Sequence, residues 1–177
     1  MACMSTATNK LLTAVTGDPQ SALSGTDLQF TLPLTRALLN EVLAARPRNT
    51  PISELYIDPK AGNRFRVHLS ANAPVVGSVT RRITFVPGPA VQLPGQPWLQ
   101  FAITDGLKFF DKPLINLLRG QIEARLPKGI ELSSSLLRIH VPALINKAGY
   151  RNLLPLIKNI QLRSEANQLL LTGHLKA

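Results

Sequence analysis

The strongest constraint in this sequence is an alternation of apolar and polar residues that runs into a proline, and it occurs twice. Leu28, Phe30 and Leu32 alternate with polar residues up to Pro33, and Leu137, Ile139 and Val141 do the same up to Pro142. Period-two patterning of this kind marks a strand with one buried face. Each strand leads into an apolar helical stretch, "LTRALLNEVLAA" in the first case and "ALINKAGYRNLL" in the second. Each stretch breaks at a proline, Pro51 or Pro155, and a second alternating pair follows. These pairs are "ISELYIDPKAGNRFRVHLSA" and "IKNIQLRSEANQLLLTGHLKA", with apolar residues at matching places: Ile52, Leu55 and Ile57 against Ile157, Ile160 and Leu162. Two copies are too few for a solenoid. The pattern predicts two strand–helix–hairpin units, Leu28–Ala71 and Leu137–Ala177, built around a shared middle.

That middle is expected to be mostly strand. "RFRVHLSA" sets Phe65, Val67, Leu69 and Ala71 on one face, against Arg64, Arg66, His68 and Ser70. "SVTRRITFV" sets Val79, Ile83 and Phe85 against Thr80, Arg82 and Thr84, with Arg81 falling on the apolar side, where snorkelling would free its head. "WLQFAIT" turns Leu99, Phe101 and Ile103 inward. One-sided alternation throughout predicts an antiparallel sheet with one wet face. A turn is expected at Pro59–Asn63 and a long proline-punctuated connection at "PGPAVQLPGQP". Thr35 is a good N-cap for the first helix, whose stripe is Leu38, Leu39, Val42 and Leu43. Asp111-Lys112-Pro113 opens a longer helix whose stripe is Leu114, Leu117, Leu118 and Ile122, with Gly120 inside it.

At 177 residues with 45% apolar composition, the chain can enclose a single sizeable core, here aliphatic because aromatics make up only 5%. Residues 1–26 read as a flexible N-terminal tether and 27–177 as one α+β domain. No apolar run reaches membrane-span length. The lone cysteine, Cys3, excludes an internal disulfide and a thiolate metal cluster. No secretory signal is visible in "MACMSTATNKLLTAVTG". A cysteine followed by small polar residues is also what a cleaved bacterial lipoprotein signal leaves, and Cys3 would then carry the lipid. An ordinary cysteine in a tail is the other reading.

Catalytic patterns are missing. His68, His140 and His174 fall on strands without metal-ligand spacing, Ser133-Ser134-Ser135 has no nucleophile-elbow pattern, and "PGPAVQLPG" lacks the lysine and helix of a phosphate loop. No catalysis, cofactor or metal is expected. The net charge of +10 favours an anionic partner, but the cations are scattered. Specific nucleic-acid binding ranks last, because stacking aromatics are few and are not interleaved with the basic residues.

The order of elements adds a resemblance. A leading strand and helix, a run of antiparallel strands, then "KPLINLLRGQIEARLPKGIEL" is similar to the tubular lipid-binding (TULIP) superfamily. More narrowly it resembles the small single-domain members of the bacterial envelope, many of them lipoproteins. The likeness covers about Leu28 to Val141, and the chain departs from it by about 35 further residues. It implies a strongly curved antiparallel sheet wrapped around a long apolar helix, with a hydrophobic groove for lipid. Here that groove would be lined by Phe65, Val67, Leu69, Ile83, Phe85, Leu99, Phe101 and Ile103 from the sheet, and by Leu114, Leu117, Leu118 and Ile122 from the helix. The expected function is non-enzymatic binding, extending to transport, of lipid or another hydrophobic ligand at an anionic membrane surface. The expected setting is the periplasm or cell envelope, with the cytoplasm as the alternative. The rival reading is an interaction protein with a dry core and a basic face for an acidic partner. Patterning alone does not separate a filled core from a lined cavity.

Overall fold

The computed structural model describes residues 17–45, 52–73, 77–106, 129–133 and 135–177. In chain order the described elements are α1 (Pro19–Ala22), β1 (Asp27–Thr35), α2 (Arg36–Ala44), β2 (Ile52–Lys60), β3 (Arg64–Ala73), β4 (Gly77–Pro87), β5 (Val91–Gln92) and β6 (Trp98–Asp105). They continue with β7 (Ile130–Leu132), β8 (Leu136–His140), α3 (Val141–Lys147), a 3-10 turn (Arg151–Leu153), β9 (Ile157–Glu165) and β10 (Gln168–Lys176). A four-stranded sheet has the order β1-β10-β9-β5, and a curled six-stranded sheet the order β2-β3-β4-β6-β8-β7. All pairings among the described residues are antiparallel.

Both strand–helix–hairpin units form, as β1–α2–β2–β3 and β8–α3–β9–β10, but they exchange leading strands. β1 joins the second unit's hairpin by pairing with β10, whereas β8 joins the six-stranded sheet between β6 and β7. The same local grammar is visible in both. Thr35 caps α2 by accepting from the Leu38 N–H at 3.2 Å. His140 caps α3 through Nδ1, which accepts from the Ala143 N–H at 3.3 Å, with Pro142 in the first turn. Each hairpin turns on an asparagine in the left-handed region, Asn63 (φ 52°) and Asn167 (φ 64°). Asparagine tolerates this region better than most side chains.

The prolines fall where a missing N–H costs little. Arg36 donates to the Asn167 carbonyl and Ala177 to that of Thr26, so even-numbered β1 residues bond to β10 and Pro33 turns its nitrogen to the outer edge. Pro59 likewise sits inside β2, on the edge away from β3, so the turn is confined to residues 61–63 and does not begin at the proline. The "PGPAVQLPGQP" segment is more than a connection: Val91–Gln92 forms β5 on β9, and Val91 is fully buried.

Residues 17–26, read as tether from sequence, form the capped turn α1 with Pro19 buried, and the Gly17 carbonyl accepts from Asn152 at 3.2 Å. Residues 1–16, including Cys3, lie outside the described residues. So does the expected long helix with Leu114, Leu117, Leu118 and Ile122. Among the described residues the longest helix is the nine-residue α2, and none is long and apolar enough to cross a membrane.

Candidate functional site

The inner faces of the two sheets are the candidate site. On the six-stranded sheet the pairings Ile57–Val67–Ile83, Pro59–Phe65–Phe85–Ile103 and Leu99–Ile139–Ile130 place apolar residues in continuous cross-strand rows. The eight sheet positions named from sequence divide into two groups by depth. Phe65, Ile83, Phe85 and Phe101 are only 5–6% exposed and pack with Leu162 and Leu169 from the four-stranded sheet. Phe65 stacks on Phe85 with ring centroids 5.4 Å apart, and meets Phe101 edge-on at 5.6 Å. At this end the sheets close on each other. Val67, Leu99 and Ile103 are half-buried around that cluster, and Leu69 is buried beside Arg81 in the β3–β4 register. Arg81 is half-buried, its Nη1 donating to the Thr80 carbonyl at 3.0 Å.

Sequence reading assigned no lining role to the four-stranded sheet, although its pattern was visible. β1 lays Leu28, Phe30, Leu32 and Leu34 opposite Leu175, Gly173, Leu171 and Leu169 of β10. Leu34 joins the core, but Leu28, Phe30 and Leu32 remain 48%, 38% and 48% exposed. Gly173 is needed here, because a Cβ on it would lie 2.5 Å from the Phe30 ring. Leu38 and Val42 on α2 are also exposed. The apolar interior is therefore continuous at one end and uncovered along β1 at the other.

The two hairpin turns are fastened together where the interior closes. Ser164, on the inner face of β9 and 4% exposed, donates its N–H to Asn63 Oδ1 at 3.0 Å. Its Oγ lies 2.7 Å from the Arg64 carbonyl and 3.1 Å from the Lys60 carbonyl, and accepts from the Lys60 N–H at 3.3 Å. A buried hydroxyl with this many partners fixes the mutual position of two chain segments.

The outer faces are polar. On the four-stranded sheet Gln29, Thr31, Asn159, Thr172 and His174, together with Phe30 and Gly173, line a depression of about 300 Å3. His174 Nε2 stands 2.7 Å from Asp27 Oδ1, a carboxylate partner that sequence could not supply because it lies 147 positions away and depends on the β1–β10 register. On the six-stranded sheet Asp58 is bound by Lys60 at 2.8 Å and Arg36 at 3.5 Å. The hydrogen bond from Lys60 is the main reason its carboxyl titrates below the usual range. His68 stacks on Tyr56 with centroids 4.1 Å apart and its Nδ1 accepts from Arg82 Nε at 3.4 Å. Burial, followed by the charge of Arg82, pushes its imidazole pKa down. Among the described residues no group of three or more His, Cys, Asp or Glu side chains could hold a metal ion.

No protein-family model matches the chain, and no curated protein or solved structure matches it. Function is therefore argued from the geometry of these faces.

Proposed function

We propose that the protein is a non-enzymatic binder of lipid or another hydrophobic ligand, working at a membrane surface in the manner of the tubular lipid-binding proteins. In this reading the half-buried Val67, Leu99 and Ile103 of the curled sheet line the ligand site beside the exposed row of β1. The observation that carries it is the row Leu28, Phe30 and Leu32, which continues the core from Leu34 yet stays about half exposed. Full burial of such a side chain is worth roughly 1.5–3 kcal/mol, so an acyl chain laid along the row would gain several kcal/mol. Apolar sites with few polar groups are the usual form of such pockets.

The test is native mass spectrometry of the full chain after mild extraction, paired with uptake of a fluorescent fatty acid from neutral micelles. Bound acyl chains, and uptake reduced at least tenfold by Phe30→Asp or Leu32→Asp, support the reading. Protein that never carries or takes up a hydrophobic ligand ends it. A second reading, an interaction protein with a dry core, is favoured by the close packing of Phe65, Phe85 and Phe101 against Leu162 and Leu169. It predicts no uptake and an acidic protein partner.

A further inference from the structure

The cations are not evenly spread over the described surface. The outward face of β2, β3 and β4 carries Lys60 opposite Arg64, Arg66 opposite Thr84, and Arg82 opposite His68, with Arg36 reaching in from α2. Arg64, Arg66 and Arg82 are exposed. Two carboxylates share this face: Asp58, opposite Arg66 in the β2–β3 register, holds Lys60 and Arg36, and Glu54 lies opposite Ser70, whose neutral hydroxyl donates to it at 3.3 Å. Residues on neighbouring strands of one face are about 5 Å apart and alternate residues along a strand about 7 Å apart. The guanidinium groups therefore spread across a plane and line no groove.

Elsewhere on the described surface several cations have carboxylate partners, and Lys158 and Arg163 of β9 are exposed as well. Asp27 contacts His174 and, at 3.9 Å, Lys176. Arg138 pairs with Glu131 at 3.2 Å and lies 4.6 Å over the Trp98 ring. On the β2–β4 face the imidazole of His68 serves as an acceptor for Arg82 and adds no carboxylate to cancel the charge.

We infer that the outward face of β2, β3 and β4 is the surface by which this protein docks onto an anionic lipid bilayer. The charge complementarity is direct, since Arg64, Arg66 and Arg82, which form no ion pair among the described residues, would face the lipid phosphates. Docking of this kind is worth about a fivefold gain in partitioning per well-placed Lys or Arg, and it weakens with salt. A bilayer fits better than nucleic acid because Tyr56, the aromatic ring of this face, is stacked on His68 and so offers one side fewer for base stacking. The inference deepens the hydrophobic-ligand reading by naming the surface at which a ligand would be collected, and it rests on that reading only for this purpose.

The test is flotation of the full chain with phosphatidylcholine vesicles, with and without phosphatidylglycerol. The chain is expected to float only with the anionic vesicles. The triple variant Arg64→Gln, Arg66→Gln and Arg82→Gln is expected to bind them on the order of a hundredfold more weakly. Lysine at the same three positions should preserve binding. A charge-matched control, Lys158→Gln, Arg163→Gln and Lys176→Gln, should lose far less. Equal weakening of the two glutamine triples, equal binding to neutral vesicles, or tight DNA binding by protein that does not float would each overturn the inference. Fatty-acid uptake from neutral micelles reads the ligand site alone. Uptake that persists in a variant unable to float leaves that site standing, and flotation by a chain without uptake leaves the docking face standing.

Discussion

The two strand–helix–hairpin units follow one sequence grammar and end in different surroundings. In the first, β2 is an edge strand, and α2 closes that edge with a single amide. Asn40 Oδ1 accepts from the Ile57 N–H at 2.7 Å and its Nδ2 donates to the Ile57 carbonyl at 2.9 Å, so one side chain imitates a neighbouring strand. The Asn167 N–H adds a bond to the Pro59 carbonyl at 3.3 Å. In the second unit the equivalent edge belongs to β9, and a strand closes it: β5 pairs through Val91 and Gln92, and the Leu93 N–H donates to the Lys158 carbonyl at 3.0 Å. The leading strands differ in the same sense. β8 is flanked by β6 and β7, with Leu137 and Ile139 half-buried beside the core, whereas among the described residues β1 pairs with β10 alone, and its row of apolar residues is about half exposed. An open sheet edge is a liability that native chains usually blunt. Here the first unit blunts β2 with a side chain and leaves the uncovered row on β1, and that asymmetry supports a binding role for the β1 end.

The largest effect is expected where the second hairpin enters the shared core: Leu162→Ala should lose about 2–5 kcal/mol in denaturant unfolding, with the spread set by how far Phe65 and Phe85 relax. A loss under 1 kcal/mol would mean that the sheets do not depend on each other. Ser164→Ala removes the hydroxyl joining the two turns and should cost about 1–3 kcal/mol, because the Lys60 N–H and two carbonyls are left without it. Asn40→Ala should cost about 1–2 kcal/mol and speed amide exchange at Ile57, while exchange in β9 stays unchanged. Matching acceleration in β9 would show the two edges to be coupled.

The smallest expected effect is on pH dependence, and it belongs to the first unit. The imidazole of His68 has a lowered pKa, so the folded state disfavours its charged form. Its contribution is fully present above the ordinary histidine value and declines as pH falls below about 6.5. Asp58, also lowered, contributes above the ordinary carboxylate range and loses that contribution as the medium becomes acid enough to protonate it in the fold. Both signs agree, so acid weakens the β2–β4 region in two steps. Thermal melts of His68→Asn should show less loss between neutral pH and about pH 5 than the parent. An identical slope would remove His68 from the account.

Much of this was legible in the residues, and the illegible part has one cause. The faces of β3, β4 and β6 follow from alternation, as do the N-cap at Thr35 and the hairpins that turn at Asn63 and Asn167. The depth at which each inward residue lies does not follow. Phe65 and Val67 share a face and a pattern, yet Phe65 is buried in the cluster with Leu162 and Leu169 while Val67 is half covered at its margin. The lining row on β1 was in plain view as a strand, but its exposure depends on what β10 and α2 leave uncovered.

The sequence by itself determined most of the strands, the faces of β3, β4 and β6 and the cap at Thr35, though not α1 or β5, because period-two patterning and capping side chains act over a few residues. Only the tertiary structure decided the exchange of leading strands, the closure of β2 by Asn40 and of β9 by β5, and the meeting of His174 with Asp27. A strand's pattern says which side is buried but not which strand lies beside it. That choice is made by contacts between residues from 17 to 147 positions apart, whose register no local pattern encodes.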